Sequence, residues 1–321
     1  MTTMKTAQSS APDGGRNSGL FARFWRAPYL LLVLAVLFWS GNFIVGRVTM
    51  DRLSPVTFAF WRWVVALAAI LPLSWPHLRR DLRPLLAHWP MVFVLGALGI
   101  GAFNTLVYAG LRQTTAINGL LLQSTMPVII LGATFLLYGQ KSSARQILGV
   151  LVSLLGVATI ALRGDWSGLA ALDVNRGDLW VLVAVLAYAL YSALLRKKPQ
   201  VHPLSFLAAS FAVGVLCLLP LYALELAQGG TGHWREGWSA PSFLALAYVA
   251  LLPGVLSYLF FNRGVELVGA NTAGHFIHLM PIFGSLMAVF LLGEHFQSFH
   301  ATGAALIAAG LALAMIGQRK S

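Results

Sequence analysis

The residues of this sequence that could do chemistry are polar side chains placed inside long apolar runs. His275 and His278 stand three residues apart, so on a helix they lie roughly on one face. An imidazole in such a place can gate, sense protons or bind a substrate carboxylate. The alternative is a pair of neutral rings that bond a neighbouring helix. We expect no metal site, because no Cys, Asp or Glu stands at a suitable spacing.

A second polar group combines amide and phenol side chains at helical spacing. Asn104 and Tyr108 are four residues apart, and Tyr258 and Asn262 stand 154 positions further along. The same helix face therefore occurs twice, with amide and phenol exchanged. Such a face could line a central path, where the rings contact apolar parts of a substrate and the amides bond polar ones. Bonding between helices that only stabilises packing is the alternative.

A third group is mainly aromatic. Trp39 and Asn42 have Tyr188 and Tyr191 as their counterparts 149 positions later. These rings lie too deep in their apolar runs to be anchors at a membrane interface, which stand at the ends of spans. We interpret them as a pocket that stacks flat or apolar groups, with plain core packing as the alternative.

Arg62 is a lone charge between Trp61 and Trp63 in another apolar run. A long basic side chain there can snorkel to the nearer membrane face, or it can hold helices by bonding backbone carbonyls. We therefore expect a structural role for Arg62 rather than the binding of an anionic group.

Proline and glycine mark the points where apolar helices can bend, because proline interrupts helical hydrogen bonding and glycine adds backbone freedom. They occur at matching positions of corresponding runs. The predicted hinge residues are Gly99, Gly101, Pro127, Pro253, Gly254 and Pro281.

The composition places these residues in a membrane. The chain has 321 residues, of which 58% are hydrophobic and 10% are charged, and its mean hydropathy is +0.76. Soluble domains are about 25% charged, so this chain cannot hide its apolar surface in a water-soluble core. Apolar runs of about 20 residues recur without strand-like alternation, which predicts membrane-spanning helices. The single cysteine, Cys217, excludes an internal disulfide, and we interpret it as a packing residue.

The helices that position the polar residues are expected to form two copies of one unit. Pro127 has Pro281 as its counterpart 154 positions later, and Gly149 has Gly303. Ten apolar runs occur, five in each copy, and an odd number of spans makes the second copy enter the membrane from the opposite face. The runs are about 28–47, 55–75, 89–111, 117–138, 144–162, 178–196, 203–224, 240–262, 273–293 and 299–316.

The predicted fold is an all-α integral membrane protein, with ten transmembrane helices arranged as two inverted five-helix repeats around a central cavity. We divide the chain into a disordered cytoplasmic tail (1–27), a first repeat (28–163), a second repeat (164–317) and a cytoplasmic C-terminus (318–321). Of the 22 Lys and Arg residues, 15 lie in the segments assigned to the cytoplasm and 6 in the external ones. This bias explains the net charge of +12 as a membrane-insertion signal, so we expect no nucleic-acid partner.

Four segments read LFWSGNF (37–43), SPVTFAFWRW (54–63), LVYAGLRQTTAINGLLLQSTMPV (106–128) and AGHFIHLMPIFGSLMAVFLLGE (273–294). They resemble the EamA-type ten-helix exporters of the drug/metabolite transporter superfamily, over nearly the whole chain after residue 28. The resemblance implies a basket of ten helices around a central cavity and efflux of small metabolites, including amino acids. The aromatic residues favour the aromatic-amino-acid exporter branch. Gln140 departs from the Glu that the family often has, while Glu294 keeps it.

These observations together predict a transporter in the bacterial inner membrane, with both termini cytoplasmic, that exports amino acids by alternating access. We expect a small-molecule substrate and membrane lipid as partners, a monomer, and no cofactor. The expected substrate site comprises Trp39, Asn42, Asn104, Tyr108, Tyr188, Tyr191, Tyr258, Asn262, His275 and His278.

Two alternatives stay open. Export of drugs, nucleobases or nucleotide sugars remains within transport, although no Asp or Glu stands mid-span, where exporters of cationic drugs usually carry one. The other alternative is an intramembrane enzyme that uses His275 or His278. The sequence offers it no paired intramembrane aspartates, no metal-binding helix motif and no nucleophile beside a base. An enzyme also has little reason to be an inverted duplicate.

Overall fold

The protein is all-helical throughout the part that the structure, a computed structural model, describes: Gly19 and residues 22–50, 54–114, 116–169, 175–228, 240–292 and 295–316. The first half contains α1 (Pro28–Met50), α2 (Pro55–Ala87), α3 (Trp89–Gly96), the first π-helix (Ala97–Ala102), α4 (Phe103–Leu111), α5 (Ala116–Ser124), α6 (Met126–Tyr138) and α7 (Ala144–Ala161). The second half contains α8 (Arg176–Leu194), α9 (Pro203–Ala227), α10 (Ala240–Val249), the second π-helix (Ala250–Leu256), α11 (Ser257–His275), α12 (Met280–Leu292) and α13 (Ser298–Met315). Short 3₁₀ turns lie at Trp166–Leu169, Leu195–Lys197 and Phe276–Leu279.

Eight helical stretches of the described chain are long and apolar enough to cross a membrane. They are Pro55–Ala87, Trp89–Leu111, Asn118–Tyr138, Ala144–Ala161, Arg176–Lys197, Pro203–Ala227, Ala240–Met287 and Ser298–Met315. The stretch Ala240–Met287 has 48 residues, more than twice what one crossing needs, and its helix is interrupted at Gly269, where φ is 81°. Pro28–Asn42 is apolar but shorter. The total of ten spans stays a prediction.

The outer surface of the helices is apolar, as lipid requires of a protein that it surrounds. Leu136 and Phe290 are 83% and 80% exposed. Polar side chains lie inside, since Arg62 is 1% and Asn104 5% exposed. This distribution is the reverse of that in a soluble domain and supports a membrane-embedded chain.

Polar caps and prolines fix where several helices begin. The Ser54 hydroxyl accepts a 3.0 Å hydrogen bond from the backbone N–H of Thr57, and Pro55 takes the first position of α2. Asn175 and Asp178 form a capping box at the start of α8. The carboxylate of Asp178 also accepts a bond from Thr114, so this cap ties the segment after α4 to α8.

A histidine pair joins α2 to the start of α9. The rings of His77 and His202 stack with their centroids 3.6 Å apart, and Asp81 accepts a 2.9 Å bond from the backbone N–H of His202. Burial lowers the pKa of His202, and charge on His77 lowers it further, whereas Asp81 opposes both. Loss of the proton from His202 is therefore favoured at this junction.

Helices α7 and α13 touch through glycines that correspond in the two halves. A Cβ atom added to Gly149 would lie 2.5 Å from the carbonyl oxygen of Gly310, and one added to Gly303 would lie 2.7 Å from that of Gly156. Gly149 corresponds to Gly303, and Gly156 to Gly310, at the offset of 154. Exchanging each glycine for its counterpart at this offset therefore exchanges the two contacts.

The same reciprocity holds for a second pair of contacts. A Cβ atom added to Gly110 of α4 would lie 2.6 Å from Val181 of α8. One added to Gly264 of α11 would lie 2.5 Å from Leu32 of α1. Gly264 is the counterpart of Gly110 at the offset of 154, and Val181 is that of Leu32 at 149. Close packing through small residues is how membrane helices approach one another, and here both halves do it alike.

Part of the predicted N-terminal tail is described. Residues 22–25 form a helical turn, in which the ring of Phe24 meets Phe260 edge-on with centroids 5.6 Å apart. Residues 1–18, 20 and 21, the C-terminal residues 318–321 and Glu294 lie outside the described residues. The division of the chain at residues 163 and 164 stays a prediction.

Candidate functional site

A small cavity lies between helices of both halves. Its volume is about 30 Å³, which is room for about two water molecules. Its lining consists of Trp39, Asn42, Phe103, Asn104, Val107, Gln123, Met126, Tyr188, Tyr258, Ile277 and Met280. The structure thus brings five of the ten predicted substrate-site residues together around one space: Trp39, Asn42, Asn104, Tyr188 and Tyr258.

One side of the cavity is aromatic. The indole of Trp39 meets Tyr188 and Tyr258 edge-on, with ring centroids 5.8 and 5.9 Å apart. Phe103 packs against Tyr188 at 4.6 Å. Rings that interlock in this way hold one another in place, so this side presents a fixed apolar surface.

The other side is organised by Arg62. Its Nη1 atom donates hydrogen bonds to Asn42 Oδ1 (3.1 Å), Asn104 Oδ1 (3.1 Å) and the Tyr108 hydroxyl (2.8 Å). Its guanidinium also lies 4.8 Å from the centre of the Trp63 ring. One side chain of α2 therefore fixes residues of α1 and α4 that line or support the cavity.

The structure corrects two expectations for Arg62. The side chain is only 1% exposed, so it does not snorkel to a membrane face. The atoms that accept its hydrogen bonds are side-chain oxygens rather than backbone carbonyls. The signal in the sequence was a single charge inside an apolar run, but nothing in the sequence showed that its partners would be the predicted site residues.

The predicted hinge residues of two spans lie in the two π-helices. Gly99 and Gly101 belong to the first, and Pro253 and Gly254 to the second. The carbonyl of Gly99 accepts a 2.5 Å hydrogen bond from the Tyr258 hydroxyl, and that of Pro253 accepts a 3.0 Å bond from Trp39 Nε1. Residues 99 and 253 correspond at the offset of 154, so Tyr258 and Trp39 bond the irregular backbone of corresponding segments.

The other two predicted hinges stand at helix starts. Pro127 is the second residue of α6, and Pro281 is the second residue of α12. A turn at Thr125 precedes α6, and the 3₁₀ turn Phe276–Leu279 precedes α12. Proline fits this position because its missing N–H would have no partner in the first turn.

Three predicted site residues lie outside the cavity lining. Tyr108 accepts the bond from Arg62 and donates a 3.3 Å bond to Asn42. The Tyr191 hydroxyl donates a 2.8 Å bond to Asn262 Oδ1. Asn262 borders a separate, smaller space beside Lys198, Arg263 and Glu266. Tyr108 therefore supports the cavity, and the structure does not bring Tyr191 or Asn262 to its surface.

The two histidines lie outside the lining as well. His278 has its Nε2 atom 2.7 Å from the carbonyl oxygen of Ser124 and its Nδ1 atom 2.5 Å from the Ser153 hydroxyl. The Nδ1 atom of His275 lies 2.5 Å from the carbonyl oxygen of Asn271. The contacts of His278 match the alternative in which an imidazole bonds neighbouring helices, whereas the contact of His275 lies within its own helix, α11. A role of either histidine in substrate binding stays a hypothesis.

Three pairs of corresponding residues touch each other. Trp39 contacts Tyr188, Asn104 Nδ2 lies 3.5 Å from the Tyr258 hydroxyl, and the Ser124 carbonyl contacts His278. If a two-fold axis relates the two halves, as the sequence predicts, residues that touch their own counterparts lie beside that axis. The first two pairs line the cavity, so the cavity lies where the two halves meet.

Sequence reasoning missed six lining residues, of which five are apolar. Apolar residues that face a cavity have the same pattern as residues of a packed core, so no signal separated them. Gln123 is different, because it is an amide in an apolar run and its Nε2 atom is buried with no hydrogen-bond partner in the described part of the structure.

Comparison with known proteins gives one family. The profile of the EamA-like transporter family matches the chain twice, at residues 26–162 and 175–316. The uncharacterized transporter YyaM of Bacillus subtilis (strain 168) is 25% identical over 88% of this chain and 92% of its own length. An uncharacterized transporter of Archaeoglobus fulgidus is 27% identical over 91% of this chain and 98% of its own. A protein of Streptantibioticus cattleyicolor named "Probable terminal-alkyne amino-acid exporter" is 27% identical over 88% and 91%.

The fold also has a solved counterpart. One solved crystal structure matches this chain with a TM-score of 0.73 and 18% identity, and the similarity covers 90% of this chain and 96% of that one. At this identity the similarity concerns the fold alone. The two matches to the family profile together span most of the chain. The chain therefore belongs to the EamA-like transporter family, and it is a multi-pass membrane transporter rather than an enzyme.

Proposed function

We propose that the protein is a secondary transporter of a bacterial inner membrane that exports amino acids, above all those with aromatic or large apolar side chains. One observation carries this proposal: the cavity has an aromatic side, with Trp39, Tyr188 and Tyr258, and an amide side, with Asn42 and Asn104. An amino acid has the same division into a side chain and polar backbone groups. The relative named as an amino-acid exporter agrees with this substrate class.

Transport requires the cavity to enlarge. Its volume of about 30 Å³ is far below the roughly 300 Å³ or more of ordinary small-molecule pockets. The helices around it must therefore move apart to admit a substrate. The proposed pivots are the π-helices that hold Gly99 and Pro253 and the helix starts at Pro127 and Pro281, where the backbone bonding is already irregular.

The duplication supports alternating access as the mode of movement. If the two halves are inverted copies, exchanging their conformations converts a state open to one side of the membrane into a state open to the other side. The two states then have similar energies. The exchanged glycine contacts of α7 with α13, and the cavity residues that touch their own counterparts, are what such a pair of halves would produce. In this proposal both termini are cytoplasmic and one chain is the working unit.

Counterflow in proteoliposomes tests the function. Liposomes loaded with unlabelled phenylalanine should accumulate labelled phenylalanine, and the experiment is repeated across a pH gradient to detect proton coupling. Trp39→Ala should reduce the counterflow rate about tenfold, because it removes a ring of the cavity wall and the hydrogen bond that Trp39 Nε1 donates to the Pro253 carbonyl. Trp180→Ala is the matched control, since Trp180 is 45% exposed on the outer face of α8.

The outcome separates the proposal from its alternatives. Equal rates for the wild type and Trp39→Ala at equal abundance would remove Trp39 from the site. The panel also contains a nucleobase, a nucleotide sugar and a cationic drug. Counterflow of one of these without counterflow of any amino acid would contradict the substrate class while leaving the transporter fold intact.

A further inference from the structure

We propose that the amide side of the cavity is a carboxylate site, and that the protein therefore also accepts organic carboxylates that have an apolar body but no ammonium group. The inference rests on the proposed function for the location of the substrate. It goes beyond that function, because amino acids become one case of a wider class defined by the carboxylate.

The first step is the orientation of two amide groups. A guanidinium has only donors, so the atom that each amide turns toward Arg62 must be its carbonyl oxygen. Asn42 and Asn104 both meet Arg62 Nη1 at 3.1 Å. Their Nδ2 groups must then point away from Arg62, and both residues line the cavity. Arg62 thus fixes two N–H₂ donors on the cavity side.

The Nδ2 groups of Asn42 and Asn104 lack strong hydrogen-bond partners within the protein. Asn104 Nδ2 has only the Tyr258 hydroxyl, at 3.5 Å, and Asn42 Nδ2 donates no hydrogen bond within the described residues. The Tyr258 hydroxyl already donates a hydrogen bond to the Gly99 carbonyl, and Trp39 Nε1 donates one to the Pro253 carbonyl, so neither is free to donate to a ligand. The donors left for a ligand are therefore the amides of Asn42 and Asn104, together with Gln123 Nε2, which belongs to the same lining and has no partner among the described residues. An acceptor with two oxygens suits such a set of amide donors.

The positive charge of Arg62 also favours an anionic ligand. Arg62 is buried, the three side chains that accept its hydrogen bonds are neutral, and its Nε atom has no partner in the described part of the chain. No carboxylate among the described residues pairs with it. These carboxylates bond other groups: Glu225 accepts from Thr57, Asp178 from Thr114, and Glu266 pairs with Arg263. A buried cation without a counter-ion favours an anion in the adjacent space, because low dielectric weakens its field little.

The same facts leave the ammonium group of an amino acid without an ionic partner. None of the residues that line the cavity is acidic. The faces of the aromatic rings can contact a cation, but they offer the same contact area to a neutral apolar group. The carboxylate is thus the charged group that this site selects, and the ammonium is dispensable.

Competition for counterflow tests this selection at pH 8, where carboxylic acids are ionised. The tracer is labelled phenylalanine, and the competitors are N-acetylphenylalanine, phenylacetate, phenylalaninamide and phenethylamine. The two carboxylates should compete at concentrations at least about tenfold lower than the amide and the amine, because only they match two donors and a buried cation. Equal competition by phenylalaninamide would overturn the proposal.

A second tracer separates this inference from the proposed function. If labelled N-acetylphenylalanine exchanges and phenylalanine does not, the amino-acid function fails and the carboxylate site stands. If phenylalanine exchanges and neither carboxylate competes or exchanges, the function stands and the carboxylate site fails. If neither tracer exchanges, both are contradicted.

An isosteric variant of Asn104 tests whether the amide that Arg62 positions selects the carboxylate. Asn104→Asp keeps an oxygen facing Arg62, removes one donor and supplies the missing counter-ion. It should lower phenylalanine counterflow about tenfold and shift the competition toward phenylalaninamide, whereas a merely structural defect would leave the order of competitors unchanged. Asn42→Asp provides the same change from α1 should Asn104→Asp fail to fold. An unchanged order in a folded variant would overturn the assignment.

Discussion

Arg62 sets the character of the cavity without lining it. Its guanidinium meets oxygens of Asn42, Asn104 and Tyr108, which come from two helices, so a single side chain determines how the polar side is turned. A buried cation with neutral partners costs several kcal/mol of desolvation, of the order of what its hydrogen bonds return. Such a residue contributes little net stability, which fits a functional role better than a structural one.

Replacing this side chain should therefore separate activity from stability. Arg62→Met loses three hydrogen bonds and also the desolvation of a charge, and these terms offset each other to within about 2 kcal/mol. We expect phenylalanine counterflow to fall at least about tenfold while Tm in detergent, followed by tryptophan fluorescence, changes by less than about 5 °C. The control is Arg79→Met, an exposed arginine of α2 over Trp75, which should leave both quantities unchanged.

A large loss of Tm in Arg62→Met would restore the structural interpretation. That interpretation followed from the sequence alone, in which Arg62 has no acidic residue near it and two tryptophans beside it. The residues that bind Arg62 are 20 to 46 positions away. No spacing rule for one helix relates them, so only the packing of α1, α2 and α4 could reveal the contact. The spacing of four residues between Asn104 and Tyr108, by contrast, was enough to predict that both lie on one face of a helix.

At the scale of the helices, the two π-helices show that a sequence pattern can predict where a backbone is irregular but not which side chains bond it. Glycine and proline at Gly99, Gly101, Pro253 and Gly254 predicted irregular backbone in corresponding spans, and the structure has it there. The widened turn itself, and the rings of Tyr258 and Trp39 that bond its carbonyls, depend on contacts across the bundle. His278 illustrates the same limit, because its partners on α5 and α7 decide what an intramembrane histidine does.

The close contact of α7 with α13 should make its glycines intolerant of side chains. A Cβ atom at Gly156 would lie 2.6 Å from the carbonyl oxygen of Gly303, which is backbone and cannot turn aside. Gly156→Leu should therefore push the helices apart and lower Tm by about 5 °C or more, following overpacking costs of about 1–3 kcal/mol or above. Gly132→Leu on α6 is the control, because nothing lies within 4 Å of its added Cβ. Equal melting of the two variants would contradict the close contact.

For the protein as a whole, internal correspondence and family agree on duplication. The family profile matches twice, and contacts such as Gly149 with Gly310 recur in exchanged form between the halves. Offsets in the sequence predict two corresponding halves because they compare residue types directly, and the inverted arrangement of those halves stays a prediction. The direction in which each helix crosses the bilayer follows from charge counts and from five spans per half, and both arguments depend on spans whose total of ten is itself a prediction.

Labelling of single cysteines tests that direction. In a Cys217→Ser background, Gln113→Cys follows α4, and Leu267→Cys lies just before the break at Gly269 in α11; both positions are exposed. If the halves are inverted, the two positions lie on opposite sides of the membrane. An impermeant maleimide should label Gln113→Cys on intact cells, and it should label Leu267→Cys only after permeabilisation, because the basic segment around Arg263 is expected in the cytoplasm. Labelling of both cysteines from outside would contradict the inverted arrangement of the two halves. The argument that closing one side of the cavity opens the other would then fail as well.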